Sequence, residues 1–358
     1  MKSLLSERNL IFAAALAVVL FPLEHSLLHA GRPMVFAVIA ILLVAIMGAA
    51  LRVAHHAELL AEKLGEPYGT MILTLSAVTV EVVILAIMML SDGGPTLARD
   101  TVYAALMLDI NGILGFAAII GGLKHGEQPY NVDSGNTYIS MILVAVGISM
   151  FVPEFVPDDK WQAYSAFTII AMVLFYALFL RMQTGKHSYF FDYAYEQKEN
   201  AEHHAEEIKV PFHAALLVLS IILIGVLSEL MAVFLGVGLE GSGLPAIVPA
   251  ILVALISASP EILTAMRAAM ANRMQAVLNI ALGASLATVV LTIPVIEGIA
   301  LYTGQPINMA MTPTQTAMVL LTLLVANINL HDGETNAIEG YTHVALFATF
   351  IFLSAIGL

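Results

Sequence analysis

The sequence predicts an all-α polytopic membrane protein with eleven transmembrane helices, a first span followed by two inverted five-helix repeats. Three observations carry that reading: apolar runs of membrane-crossing length from end to end, basic residues gathered on one side, and matching acidic motifs in the two halves of the chain. Of the 358 residues 59% are hydrophobic and 11% charged, with a mean hydropathy of +0.90, whereas an ordinary soluble domain is roughly 25% charged. The absence of cysteine removes disulfides and thiolate ligands, so any bound metal must use oxygen or imidazole. The formal charge of −13 excludes a nucleic-acid role and favours attraction of cations to the surface.

A helix needs about 20 apolar residues to cross ~30 Å of hydrocarbon. Such runs fall at 9–29, 33–54, 67–90, 96–123, 137–156, 160–182, 211–235, 243–267, 272–300, 312–331 and 338–358. The first, within residues 1–32, stands outside the repeat; it lacks an A-x-A-like exit and a second span follows at once, which argues against a cleaved signal. Spans two to six form the first repeat, 33–182, and spans seven to eleven the second, 211–358, with a polar cytoplasmic linker at 183–210. With the N-terminus in the cytoplasm, 11 of the 14 Lys and Arg residues lie inside and only Arg32, Arg99 and Lys160 outside, the asymmetry expected of a membrane protein. The odd number of spans places the C-terminus outside and makes the second repeat enter from the opposite face.

The halves repeat one another in sequence. "AELLAEKLG" (57–65) matches "SELMAVFLG" (228–236) at Glu, Leu, Ala, Leu and Gly, and the span that follows each holds an isolated glutamate, Glu81 in "SAVTVEVVILAIM" and Glu261 in "ISASPEILTAMRAAM". A charge in such a run is costly, in lipid above all, so a function must offset it. Desolvation raises a buried carboxylate's pKa, and two acids converging on one site raise it further. Such a pair carries either a cation or protons, and that exclusion is what antiport requires. Inverted repeats place substrate sites near the bilayer midplane where the halves meet, and the paired glutamates sit where such a site would be.

Their surroundings suit an oxygen-ligand ion. Ser257 and Thr264 flank Glu261 at helical spacing on one face, and Thr74 lies seven residues before Glu81. Pro260 removes a backbone donor and is expected to free the Ile256 carbonyl, while Val80 in the equivalent place leaves the first copy straighter. Span four adds Asp109 and Asn111; span nine carries a stripe of Ser285, Thr288 and Thr292, which also suits close helix packing. Hard oxygen donors favour Ca²⁺ or an alkali ion over soft metals. Glu58 and Glu229 are repeat partners near helix ends, Glu297 is expected at the outer mouth of span nine, and His343 reads as a hydrogen-bonded packing residue. The linker segment 191–209 gathers six carboxylates and two histidines and reads as a solvated connection, with cation sensing as the sharper alternative.

These motifs resemble the calcium/proton exchanger (CAX) branch of the cation/Ca²⁺ antiporter superfamily, in particular its bacterial ChaA-like members. The resemblance rests on "GEPYGTMILTLSAVTVE" (65–81), "SPEILTAMRAAMANRMQAVLNIALGASLATVVLTIPV" (259–295) and "DGETNAIEGYTHVALF" (332–347). It implies efflux of Ca²⁺ driven by inward proton flow across the inner membrane, with the two essential alpha-repeat glutamates at Glu81 and Glu261 and no resident cofactor. The lipid bilayer and monovalent or divalent cations are the expected partners, and homo-oligomerisation is left open. Many members carry Gly-Asn before the glutamate, where this chain has Thr79-Val80 and Ser259-Pro260. That departure leaves Na⁺/H⁺ or K⁺/H⁺ exchange open as the alternative. A cation channel would need a filter loop and an intramembrane hydrolase an H-E-x-x-H helix or a Ser/His or Ser/Lys pair; the sequence points to no such filter loop and contains no H-E-x-x-H.

Overall fold

The computed structural model describes residues 7–64, 68–90, 94–183 and 209–358. The acidic stretch 191–208 lies outside the described residues. The main helices among the described residues are, in order, α1 (Arg8–Leu28), α2 (Arg32–Leu64), α3 (Tyr68–Leu90), α4 (Leu97–His125), α5 (Val132–Phe155), α6 (Trp161–Gln183), α7 (Val210–Leu239), α8 (Val248–Ser257), α9 (Ser259–Met270), α10 (Met274–Thr303), α11 (Pro313–Asn329) and α12 (Ala337–Ala355). Helix is the form in which these apolar runs satisfy their own backbone groups without water. Among the described residues eight helices are long and apolar enough to cross a membrane, or nine when the bent pair α8–α9 is taken as one. Two of the eleven apolar runs fall outside that count: α11 has 17 residues, and the side chains of the first part of α3 lie outside the described residues.

Polar residues set the helix starts. Thr312 accepts from the Gln315 amide while the Gln315 side chain returns a bond to Thr312, a capping box ahead of Pro313. Asn131 caps α5 through the Asp133 amide, and Asn336 caps α12 through Ile338 and Glu339. Just before these last two starts, β1 (Gln128–Pro129) pairs antiparallel with β2 (Glu334–Thr335).

The chain forms two compact units. One comprises residues 1–97 and 199–260 and contains α1, α2, α3, α7 and α8. Its central contact is α2 against α7, with α3 packed on both, α8 on α2 and α3, and α1 on α2 and α7. A side chain at Gly238 of α7 would press within 3.1 Å of Ile39 and 3.2 Å of Val35, so the glycine sets the close approach of those helices.

The other unit comprises residues 98–198 and 261–358. Here the second half of α4 packs on α12, the second half of α10 on α6, α5 on the first half of α10, and α11 on the middle of α4. At the α4–α12 crossing a Cβ on Gly340 would stand 2.7 Å from the Gly115 carbonyl. The units therefore cut across the sequence halves, each drawing helices from both. Within them the contacts pair as repeats exchange: α3 on α7 as α8 on α2, α4 on α12 as α10 on α6, α5 on α10 as α11 on α4.

Candidate cation and proton site

Glu81 lies in the middle of α3 and is 3% exposed, between the buried Val80 and Ile84. α3 runs through it without a break, whereas its counterpart is bent by 54° between α8 and α9, the contrast that Val80 against Pro260 implies. Glu261 stands in the first turn of α9, half-buried, where the positive end of the helix dipole favours a carboxylate.

The bend differs from expectation in one respect. The Ile256 carbonyl is not left free by Pro260, because the buried Ser259 hydroxyl donates to it at 2.7 Å. Ser257 is half-buried and its hydroxyl donates to Val253 and Ala254 of its own helix, at 3.2 and 3.1 Å. Thr264 is exposed: the turn from α8 into α9 changes which face of the segment is covered. The side chain of Thr74 lies outside the described residues, though its backbone is part of α3.

In the second unit α4 departs from regular α geometry at Met107–Ile113, a π segment that contains Asp109 and Asn111. The repeat partner α10 has its own π segment at Thr288–Thr292. Single π turns widen a helix and frequently mark functional sites. Asp109, 3% exposed, accepts a hydrogen bond from the Ser285 hydroxyl at 3.3 Å, so the two residues expected to supply oxygens from spans four and nine do meet. Thr288, 5% exposed, opens the π segment one turn further along α10.

Asn111 is placed differently. Its amide nitrogen donates to Thr322 Oγ1 of α11 at 2.7 Å and approaches the Met107 sulfur at 3.6 Å, while its oxygen lies 3.1 Å from His343 Nδ1 of α12. Asn111 thus ties three helices together through its nitrogen and its oxygen. His343 is thus a hydrogen-bonded residue of the interior, with its Nδ1 proton directed at Asn111. Thr322 went unread in the sequence, where it is one threonine in an apolar run. Glu58 and Glu229 are both exposed. Glu297, expected at the outer mouth of span nine, stands near the end of α10 and is 2% exposed, with α6 covering that part of the helix.

The site residues thus divide: Glu81 and Ser257 belong to the first unit, and Asp109, Asn111, Glu261, Thr264, Ser285 and Thr288 to the second. Each unit carries a carboxylate inside or at the edge of apolar helix.

Comparison with known proteins bears on the chain as a whole. The family model for the sodium/calcium exchanger protein matches residues 34–185 and 212–356. The chain is 35% identical to the putative ionic transporter y4hA of Sinorhizobium fredii, covering 86% of each sequence, and 32% identical to the sodium-potassium/proton antiporter ChaA of Escherichia coli, covering 96% of this chain and 95% of that one. Its fold matches that of the selenium-substituted Ca²⁺/H⁺ antiporter protein YfkE, with a TM-score of 0.73, 16% identity and coverage of 99% and 98%. A family match over both halves, with relatives above 30% identity along nearly the whole chain, shows that this protein belongs to the sodium/calcium exchanger family.

Proposed function

We propose that the protein is a secondary active antiporter that exchanges cations, Ca²⁺ first among them, for protons across the bacterial inner membrane by alternating access. The observation that carries this reading is the pair Glu81 and Glu261, two acids at matching places of an internal repeat in a chain of this family. The exchange of helix contacts between the halves and the two matched stretches, 34–185 and 212–356, support the inverted repeat. In the proposed orientation the N-terminus is cytoplasmic and the C-terminus outside. Protonated, each glutamate is neutral and tolerated in its apolar helix; deprotonated, it requires a cation. Asp109 and Ser285 supply further oxygen near the π segments, and no resident cofactor is invoked.

A second reading has specific support. The Escherichia coli relative is a sodium-potassium/proton antiporter, and the Ser259-Pro260 sequence before Glu261 changes the donors near that acid. Na⁺/H⁺ or K⁺/H⁺ exchange on the same fold follows from it. The test is uptake of Ca²⁺, Na⁺ and K⁺, each alone, into proteoliposomes under an imposed pH gradient. Uptake that collapses with the gradient supports the antiporter and names its ion. Flux of any cation driven by voltage alone, without proton movement, contradicts it.

A further inference from the structure

Glu297 is a buried acid that the exchange mechanism above does not use. It sits on the last two turns of α10, before the left-handed Gly304 ends the helix, and is 2% exposed with Oε2 buried and without a hydrogen-bond partner. None of the ion pairs among the described residues includes it. The helix packed against this part of α10 is α6. Tyr164, near the start of α6, is the titratable group there within electrostatic reach of the carboxyl. Its one hydroxyl proton is already given to the Ile148 carbonyl at 2.7 Å, so it is not available to a carboxylate. The other groups that charge or titrate on α6 are Tyr176 and, at the far end, Arg181; Lys160, just before it, pairs with Asp159. The π segment of α10 faces the same region with threonines and aliphatic residues only.

Ionised, Glu297 would be a bare charge in an apolar seam with no cation and no donor to Oε2, which is strongly unfavourable. The resting group therefore holds a proton. The end of the span is nevertheless close along the chain, since α10 closes six residues on at Thr303, before the left-handed Gly304, and the chain is not helical again until Pro313. A permanently neutral packing role is served equally by Gln, Met or Leu, without an ionisable group; a carboxyl near an aqueous end is suited to taking up and giving back H⁺.

We propose that Glu297 is a second proton-binding residue of the exchange cycle, loaded from the outer aqueous face and separate from Glu81 and Glu261. This rests on the antiport reading and on the orientation given with it, in which α10 runs outward. The proton adds to one carboxylate oxygen and leaves from it, with no other bond changed.

The experiment compares wild type, E297Q and E297D in proteoliposomes, with the pH of the outer face varied from about 6 to 9 and the inner pH fixed. Proton release on addition of the transported cation is followed in detergent with an indicator dye. A rate that tracks one titrating group changes about tenfold per pH unit along its limb. E297Q is expected to flatten that limb and to release fewer protons per cation, and E297D to keep the limb at a shifted pH. An E297Q protein with the wild-type pH profile and proton yield overturns the proposal and leaves the antiporter reading standing. Wild type that exchanges no cation for protons overturns both. Should E297Q fail to fold, E297D decides: a shifted limb supports the proposal and an unshifted one overturns it.

Discussion

Glu81 and Asp109 are each 3% exposed within apolar stretches of their helices, and their cost was visible from the residue types alone. What could not be read is how each polar side chain is spent. In the sequence Asn111 reads as an oxygen donor beside an intramembrane acid, and its partners Thr322 and His343, 211 and 232 residues away, are not legible there. Pairings at such separation leave no periodic mark in the sequence. N111L is therefore expected to leave buried polar groups on two helices without partners and to cost about 1–3 kcal/mol of stability, read as a lowered Tm in detergent; an unchanged Tm contradicts the anchoring role. Outside the membrane, Glu7 bonds Arg52 at 2.8 Å through Nε. Burial pushes the Glu7 carboxyl up, but the Arg52 hydrogen bond and charge, with His56, outweigh it and hold the carboxyl below its ordinary value. A depressed carboxylate stabilises the fold above its unfolded pKa of about 4.3 and loses that contribution as pH falls through the folded value. Thermal stability of wild type is thus expected to drop more steeply than that of E7Q between pH about 5 and 3, and parallel curves would refute it.

Helices were the most legible level. Twenty-residue apolar runs, Thr312, Asn131 and Asn336 at helix starts, and Pro260 at the bend all act locally, so their effects follow from sequence. The π segments at Met107–Ile113 and Thr288–Thr292 do not; an extra residue in a turn is held by what the neighbouring helices offer, and its side chains look like those of any helix. Ser259 shows the same limit, since its hydroxyl competes successfully for the Ile256 carbonyl that Pro260 was expected to free. Close helix approach gives a sharper expectation. A Cβ at Gly340 would lie 2.7 Å from both the Gly115 oxygen and the Ile119 nitrogen, so G340A should force α12 from α4 and cost about 1–3 kcal/mol. Nothing lies within 4 Å of a Cβ at Gly236, and G236A should be neutral or stabilising by up to about 1 kcal/mol through helix propensity. Thermal melts of the two variants side by side check both, and equal melts would mean the α4–α12 contact is not tight.

For the molecule as a whole, composition, charge asymmetry and the doubled acidic motif led to an all-helical membrane protein, and the family match runs over 34–185 and 212–356. The compact units were not legible, because they gather α1–α3 with α7 and α8, and most of α4, α5 and α6 with α9–α12, a regrouping that depends on which faces meet after folding. That each unit holds one member of the Glu81 and Glu261 pair follows from the regrouping. The most direct test of the central claim is Ca²⁺-, Na⁺- or K⁺-driven proton movement in proteoliposomes carrying wild type, E81Q or E261Q, with circular dichroism and melting to show that the variants are folded. The account predicts exchange in wild type and none in either folded variant, since a glutamine holds neither the proton nor the charge that the cation must replace. Full exchange by a folded E81Q or E261Q protein would contradict it.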